Sequence, residues 1–318
     1  MIHEYAIEPG LVATSGKVEN SKNFAKKFGL GQPNIMSEYP KLKNWRRQVL
    51  MAATGKGDME IERITALIQI LSETMIVRNM AIYDGTVSWL ENAEKEDERL
   101  PFNAILASSN PRENLRVLSE KTLGTSHNPI WNEKTQIMMP RKASEMANAL
   151  SPMLRNCNTA IFVDPYFLLS KFNTHKWKKT FGAFFKELSK NSSISSQSQF
   201  RVEVHASAEV HMALPSDLFK KQCVRCMNDK IPNGLSVCFK RWKQKPGGKK
   251  LHDRYILTDL GGVDFSIGLD EGSEGEDQKV TLMERDIYND IWSQYASNNP
   301  AFDPVDEIII EGNKSFFN

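Results

Sequence analysis

The sequence predicts an α/β protein in two parts: a mainly helical domain over residues 1–130 and a mixed-sheet sandwich over 141–318. Three observations predict it. Apolar residues recur at helical spacing through much of the first 130 positions. From about residue 141, strand-like and helix-like segments alternate. Near the end, two strand-like segments follow one another directly, which adds adjacent strands to an alternating pattern. A length of 318 residues is long for one compact core and fits two domains.

In chain order, "SKNFAKKFGL" reads as a short helix with Phe24, Phe28 and Leu30 near one face. "KLKNWRRQVLMAA" and "MEIERITALIQILSETM" continue as helices. Ile61, Ile64, Ile68, Leu71 and Met75 of the second make a stripe that belongs in a core. "DGTVSWLENAEKEDERL" is helical and then heavily charged, and "LPFNAILASSNP" carries a strand's apolar run closed by turn residues. Residues 108–140 lack periodicity, hold an isolated His127, and end in "SHNPIWNEKTQIMMPRK", a linker or the edge of the second part.

The second part opens with a helix in "RKASEMANALSPMLRN" and a buried strand in "NTAIFVDPYF". "HKWKKTFGAFFKELSKN" is an amphipathic helix that turns Trp177, Phe181, Phe184, Phe185 and Leu188 to a core. A polar loop, "SSISSQSQ", precedes the strand "FRVEVHAS", a helix near 215–230 and the strand "LSVCFKRW". The strands "LHDRYILTD" and "VDFSIGL" follow a Pro-Gly-Gly turn, and the helix "TLMERDIYNDIWSQYAS" and the tail "VDEIIIEG" close the chain.

Composition narrows the classes. A net charge of +2 does not by itself demand a polyanionic partner, so the distribution of charge carries more than the sum. Lys240, Arg241, Lys243, Lys245, Lys249 and Lys250 lead into "LHDRYILTD". Asp270, Glu271, Glu274, Glu276 and Asp277 follow "VDFSIGL". No apolar run reaches the length of a transmembrane helix, and "MIHEYAIEPG" lacks a signal-peptide layout, so a cytoplasmic protein is expected. Cys223 and Cys226 are spaced as Cys-x-x-Cys, but a structural zinc site closes four ligands. With only Cys238, His205 and His211 to add, no metal and no other cofactor is expected.

The chemistry concentrates in "KKLHDRYILTDLGGVDFSIGLDEG". On an extended strand His252 and Arg254 project from one face, two residues apart. A guanidinium there offers a permanent charge and a bidentate fork for phosphoryl oxygens. It also favours the neutral, nucleophilic form of the neighbouring imidazole. Asp164 and Tyr166 of "VDPYF" end a strand that can lie beside this one. Pro165 explains the turn, and the two polar residues are candidates for the same cleft.

This segment resembles the phospholipase D-like superfamily, whose signature is His-x-Lys, four residues, then Asp, with a small hydroxyl residue on the next strand. His252, Arg254 and Asp259 keep that spacing with Arg in place of Lys, and Ser266 stands near the hydroxyl position. "LHDR…IGLD" is most similar to the phospholipase D-like domain at the C-terminus of microtubule-interacting-and-transport (MIT) proteins. It is also similar to bacterial proteins of like layout, some of them in anti-phage clusters. The resemblance covers about residues 141–297.

It implies a metal-independent phosphodiesterase, above all a nuclease in bacterial antiviral defence, in which His252 attacks phosphorus to give a phosphohistidine. Arg254 would neutralise the phosphoryl oxygens, Asp259 orient the imidazole, and Ser266 complete the site. Lys245, Lys249 and Lys250 would draw in the backbone of DNA or RNA, with Asp164 and Tyr166 beside the substrate. Family catalysis uses two histidines, and the first half of the chain holds no second His-x-Lys. His205 is one candidate, and a homodimer pairing two copies of His252 is the other. The competing expectations are a silent module that binds phosphate on nucleic acid or anionic lipid, and a subunit of a larger, defence-related complex.

Overall fold

The computed structural model describes residues 1–17, 24–79, 81–119, 131, 134–167, 169, 174–191, 200–211 and 213–312. His127, the first three residues of "SKNFAKKFGL" and the whole "SSISSQSQ" loop lie outside them. The chain divides into two units, Ile2–Lys134 and a second formed by Thr135–Asn318 with Met1.

Among the described residues the strands form two sheets, and the α/β class with a mixed sheet is what the chain adopts. The first unit runs β1 (His3–Ile7), α1 (Pro9–Thr14), β2 (Asn34–Glu38), α2 (Leu42–Ala52), α3 (Asp58–Glu73), β3 (Met75–Val77), α4 (Trp89–Arg99), β4 (Ala104–Ala107) and β5 (Val117–Ser119). Its strands lie in the order β3-β2-β1-β4-β5, and every pair is parallel.

The first unit holds more helix than strand, as expected, and its helices flank a parallel sheet that helical spacing alone did not predict. The helices α2, α3 and α4 fall within the segments the apolar spacing marks, but Met75, counted in the stripe of α3, is the first residue of β3. The sheet escapes a periodicity reading because its strands are only three to five residues long and largely buried. A short strand covered on both faces reads as a plain apolar run, without the alternation that marks a half-exposed one. Trp45 of α2 joins helix to sheet by donating its indole N–H to the Ile7 carbonyl at 2.8 Å.

The second unit continues with β6 (Gln136–Pro140), α5 (Ala143–Leu154), β7 (Thr159–Val163), α6 (Thr174–Leu188), β8 (Arg201–Ser207), α7 (Ser216–Met227), β9 (Ser236–Gln244), β10 (Tyr255–Thr258), β11 (Gly261–Phe265), β12 (Asp277–Leu282), α8 (Arg285–Ala296) and β13 (Phe302–Glu311). Its sheet has the order β13-β9-β8-β7-β10-β11-β12-β6. β7, β8 and β9 are mutually parallel, and the remaining neighbours are antiparallel.

Helices cover both faces of this sheet. Phe162 of β7 meets Phe181, Phe184 and Phe185 of α6 with ring centroids 5.3–6.1 Å apart. Across the sheet, His205 of β8 faces Tyr295 of α8 at 5.7 Å. The tail "VDEIIIEG" is recruited as β13, paired along β9. The stretch "TQIMMP" becomes the edge strand β6. No helix among the described residues is long and apolar enough to cross a membrane.

Candidate phosphate site at one edge of the second sheet

Antiparallel pairing of β10 with β7 and β11 fixes which ends meet. Tyr255, the first residue of β10, sits opposite Val163, the last of β7, and opposite Asp264 near the end of β11. The residues before β10 and after β7 and β11 therefore share one sheet edge. His252, Arg254, Asp164, Tyr166 and Ser266 all belong to it. In sheets with parallel strands, the carboxyl ends of those strands are where ligand sites form.

The strand expected over "LHDRYILTD" begins four residues later than its alternation predicts. His252 and Arg254 precede β10, although the Arg254 carbonyl still accepts the Phe265 N–H at 3.0 Å. The two side chains have different surroundings. His252 is 58% exposed, and its Nδ1 lies 3.4 Å from Asp253 Oδ1, which leaves Nε2 toward solvent. Arg254 is half-buried, its guanidinium carbon 4.8 Å from the centre of the Tyr166 ring. The Arg254 Nε is buried and, among the described residues, has no hydrogen-bond partner. An N–H donor of a guanidinium left unpaired inside a fold is uncommon, because its desolvation goes uncompensated.

Asp164 lies beneath this arginine. It is 2% exposed and accepts the Tyr166 N–H at 2.9 Å on Oδ1 and the Leu269 N–H at 3.0 Å on Oδ2. Burial pushes its pKa up to about 6, against the pull of those two bonds and of Arg254. Gly268 leaves room for the neighbouring Asp270: a Cβ there would stand 2.8 Å from Asp270 Oδ1, while Asp164 Oδ2 at 3.6 Å would be in ordinary contact.

Sequence reasoning missed Arg141, which organises the adjacent loop. Its Nη2 meets Asp270 Oδ1 at 2.6 Å and its Nη1 meets Glu276 Oε2 at 2.8 Å. The acidic run is thus partly neutralised from within. The only available signal was a basic residue directly after a strand, too common to single out. Asp264, held above the usual carboxylate range by burial and by Asp253, also borders the site, with Lys279 and Arg254 opposing that rise.

Asp259 is not brought to this edge. It stands past the far end of β10, where it accepts the N–H groups of Asn158 at 2.8 Å and Thr159 at 3.0 Å and the Asn158 side-chain amide at 3.0 Å. It ties the start of β7 to the end of β10, and four strand residues separate it from the edge holding His252. Ser266 is at the right edge, but its hydroxyl accepts the Lys279 N–H at 3.1 Å.

Of the lysines, Lys249 and Lys250 are exposed, whereas Lys245 donates to the Pro300 carbonyl at 2.7 Å. Lys240 and Arg241 of the basic run are structural: Lys240 pairs with Glu203 at 2.7 Å and Arg241 with Asp306. His205 is fully enclosed, with its Nε2 2.8 Å from Glu203 Oε2 and its pKa lowered by burial. It cannot reach a solvent-borne substrate. Cys223 and Cys226 are buried free thiols on α7. Among the described residues, no group of three or more His, Cys, Asp or Glu side chains is arranged to hold a metal.

The fold and edge define an α/β protein with a guanidinium–carboxylate–imidazole cluster at a strand mouth. No protein-family model matches the chain, and no curated protein matches it. Among solved structures, the chain is similar to the crystal structure of phosphatidylserine synthase from Haemophilus influenzae Rd KW20. That likeness is at 9% identity and a TM-score of 0.32, over 55% of this chain. The match covers 46% of the synthase, under half of its length.

Proposed function

We propose that the second unit is a phospholipase D-like phosphodiester site in which Arg254 anchors a phosphate and His252 is the nucleophile. The observation that carries this reading is the buried Arg254 Nε with no partner, held beside an exposed imidazole. When the half-buried side chain turns outward, a phosphodiester oxygen supplies the missing acceptor, and the fork of the guanidinium holds a second one.

In the hydrolytic form of this reading, His252 Nε2 attacks phosphorus as the P–O bond to the leaving group breaks. The leaving oxygen takes a proton from a second imidazole. Water then forms a new O–P bond as N–P breaks, and its proton returns to that second imidazole. With His205 enclosed, the second imidazole is His252 of another copy, so hydrolysis requires a homodimer. The preferred substrate is nucleic acid, which makes the protein a nuclease. Its placement in antiviral defence follows from the sequence resemblance alone.

A specific observation favours a second reading. His252 is open to solvent, and among the described residues Asp253 is the one carboxylate paired with its ring, an arrangement that suits phosphate binding without turnover. One experiment separates the two. Purified protein with EDTA is assayed for binding and cleavage of single- and double-stranded DNA and RNA, beside His252→Ala and Arg254→Ala. Loss of cleavage in both variants, with binding kept in His252→Ala, supports the nuclease. Binding that needs Arg254 with no cleavage by any form supports the silent module. If neither substitution changes anything, the site assignment is wrong.

A further inference from the structure

A second basic feature of the same unit lies on α6 and uses none of the residues assigned to the phosphate site. The inward face of this helix is aromatic: Trp177, Phe181, Phe184, Phe185 and Leu188 are buried. Its outward stripe at helical spacing is His175, Lys178 with Lys179, Gly182 and Lys186. Facing that stripe is the segment Asp229, Lys230, Ile231 and Pro232, and together they line a groove of about 630 Å³. Gly182 makes it a groove instead of a ridge. A side chain there would begin 3.4 Å from Lys230 Cδ and fill the floor.

Four lysines and a histidine line this groove against one carboxylate, Asp229. Asp229 engages Lys178 at 3.2 Å and Lys230 at 3.0 Å, and Lys179 reaches out to Glu271 at 2.7 Å. Lys186 is exposed and makes no ion pair among the described residues. From His175 to Lys186 the helix rises about 16 Å at 1.5 Å per residue. The positive charge is therefore strung along a line, not gathered at a point.

We infer that this groove is a track for a single strand of nucleic acid, gripping its sugar-phosphate backbone. A line of cations along an open channel matches a chain of regularly spaced phosphates. An anionic membrane surface is the poorer fit. Such docking inserts protruding apolar side chains among the cations, whereas the apolar face of α6 is turned inward and Ile231 is buried. The inference shares with the proposed function only the class of ligand. Its residues are different.

The test measures a fluorescein-labelled thirty-nucleotide single strand by anisotropy across a salt series. The proteins are the full-length wild type, Lys186→Glu/Lys230→Glu, Gly182→Asp and Arg254→Ala. Expected is a loss of about tenfold or more in affinity for both groove variants. For the double variant the log–log salt slope should flatten by about 1.4, two contacts at roughly 0.7 each. Gly182→Asp guards against misfolding of the double variant, since its Cβ meets only a flexible lysine tail.

Wild-type affinity in both groove variants overturns the track, as does a wild type that does not bind the strand. So does capture of the wild type, but not of the double variant, by phosphatidylserine vesicles when the strand is not bound. A thymidine dinucleotide, too short to run along the groove, reports on Arg254 separately. Its binding lost in Arg254→Ala but kept in the groove variants leaves the proposed function standing whatever becomes of the track.

Discussion

Asp164 Oδ2 accepts the backbone N–H of Leu269 at 3.0 Å, which joins the end of β7 to the loop after β11, 105 residues further along the chain. The carboxylate is enclosed, and burial raises its pKa to about 6 from an ordinary 3.8. Folding therefore tightens its hold on a proton. Stability from this group is complete below about pH 4 and is lost as pH rises through about 6. The size of that loss is on the order of 3 kcal/mol. Urea midpoints between pH 4 and 7 should fall more steeply for the wild type than for Asp164→Asn. Parallel profiles would remove Asp164 as the source.

Arg254 and Tyr166 form a stacked pair whose value depends on an anion. Without one, Arg254 keeps an unpaired buried N–H. Arg254→Ala should weaken binding of a phosphodiester by about tenfold or more, equivalent to one charge-assisted hydrogen bond of roughly 1.5–3 kcal/mol. Tyr166→Ala should cost less, about two- to fivefold, as for a partly exposed cation–π contact. Arg254→Lys keeps the charge but loses the fork and should not restore full affinity. Calorimetric titration with a dinucleotide checks all three. Tyr166→Ala weakening binding more than Arg254→Ala would contradict the assignment of the anchor.

How much of this was legible in the sequence differs between the units. In the second, patterning located α6 by its single apolar face, β7 as the plain apolar run TAIFV between two helices, and β8 and β9 by the alternation of apolar and polar residue types in RVEVHAS and SVCFKRW. In the first, β1 and β2 are short and mostly buried, so "HEYAI" and "NIMSE" carry no alternation and the parallel sheet was invisible. At the site, the spacing of His252 and Arg254 was readable, but their environments were not. Which edge Asp259 occupies depends on where β10 starts, and that is set by its pairing with β7 and β11. The burial of Asp164 against the Leu269 N–H is likewise a product of loop packing between distant segments.

Asp259 is a fastener, and substituting it should therefore read as a stability change. It accepts three hydrogen bonds, two from backbone N–H groups at the start of β7. Asp259→Ala leaves those donors to water at a partly exposed position, and a loss of about 1–3 kcal/mol is expected. Thermal melting should report it. Binding of a phosphodiester per folded molecule, measured well below the melting temperature, should be unchanged. Loss of binding with unaltered melting would return Asp259 to the site.

Arg78 is the corresponding fastener of the first unit. Its side chain is 1% exposed, donates from Nε to Glu4 Oε1 at 2.7 Å and from Nη1 to Glu96 Oε1 at 3.0 Å, and its guanidinium carbon lies 3.5 Å from the centre of the Phe102 ring. Burial alone would raise the pKa of Glu96. The hydrogen bonds from Arg99 and Arg78 outweigh it and hold the carboxyl below its ordinary value. Because that folded pKa is depressed, the contribution of Glu96 is present at neutral pH and lost as acid protonates it. Arg78→Met should cost about 1.5–3 kcal/mol, since it removes one of the two arginines hydrogen-bonded to the buried Glu96 carboxylate. Pairing it with Glu96→Leu should recover part of that loss, because the under-compensated charge is then also removed. Urea denaturation of the single and double variants at pH 7 gives the comparison. A double variant less stable than Arg78→Met alone would show that Glu96 is held by its other partner, Arg99, and not by this arginine.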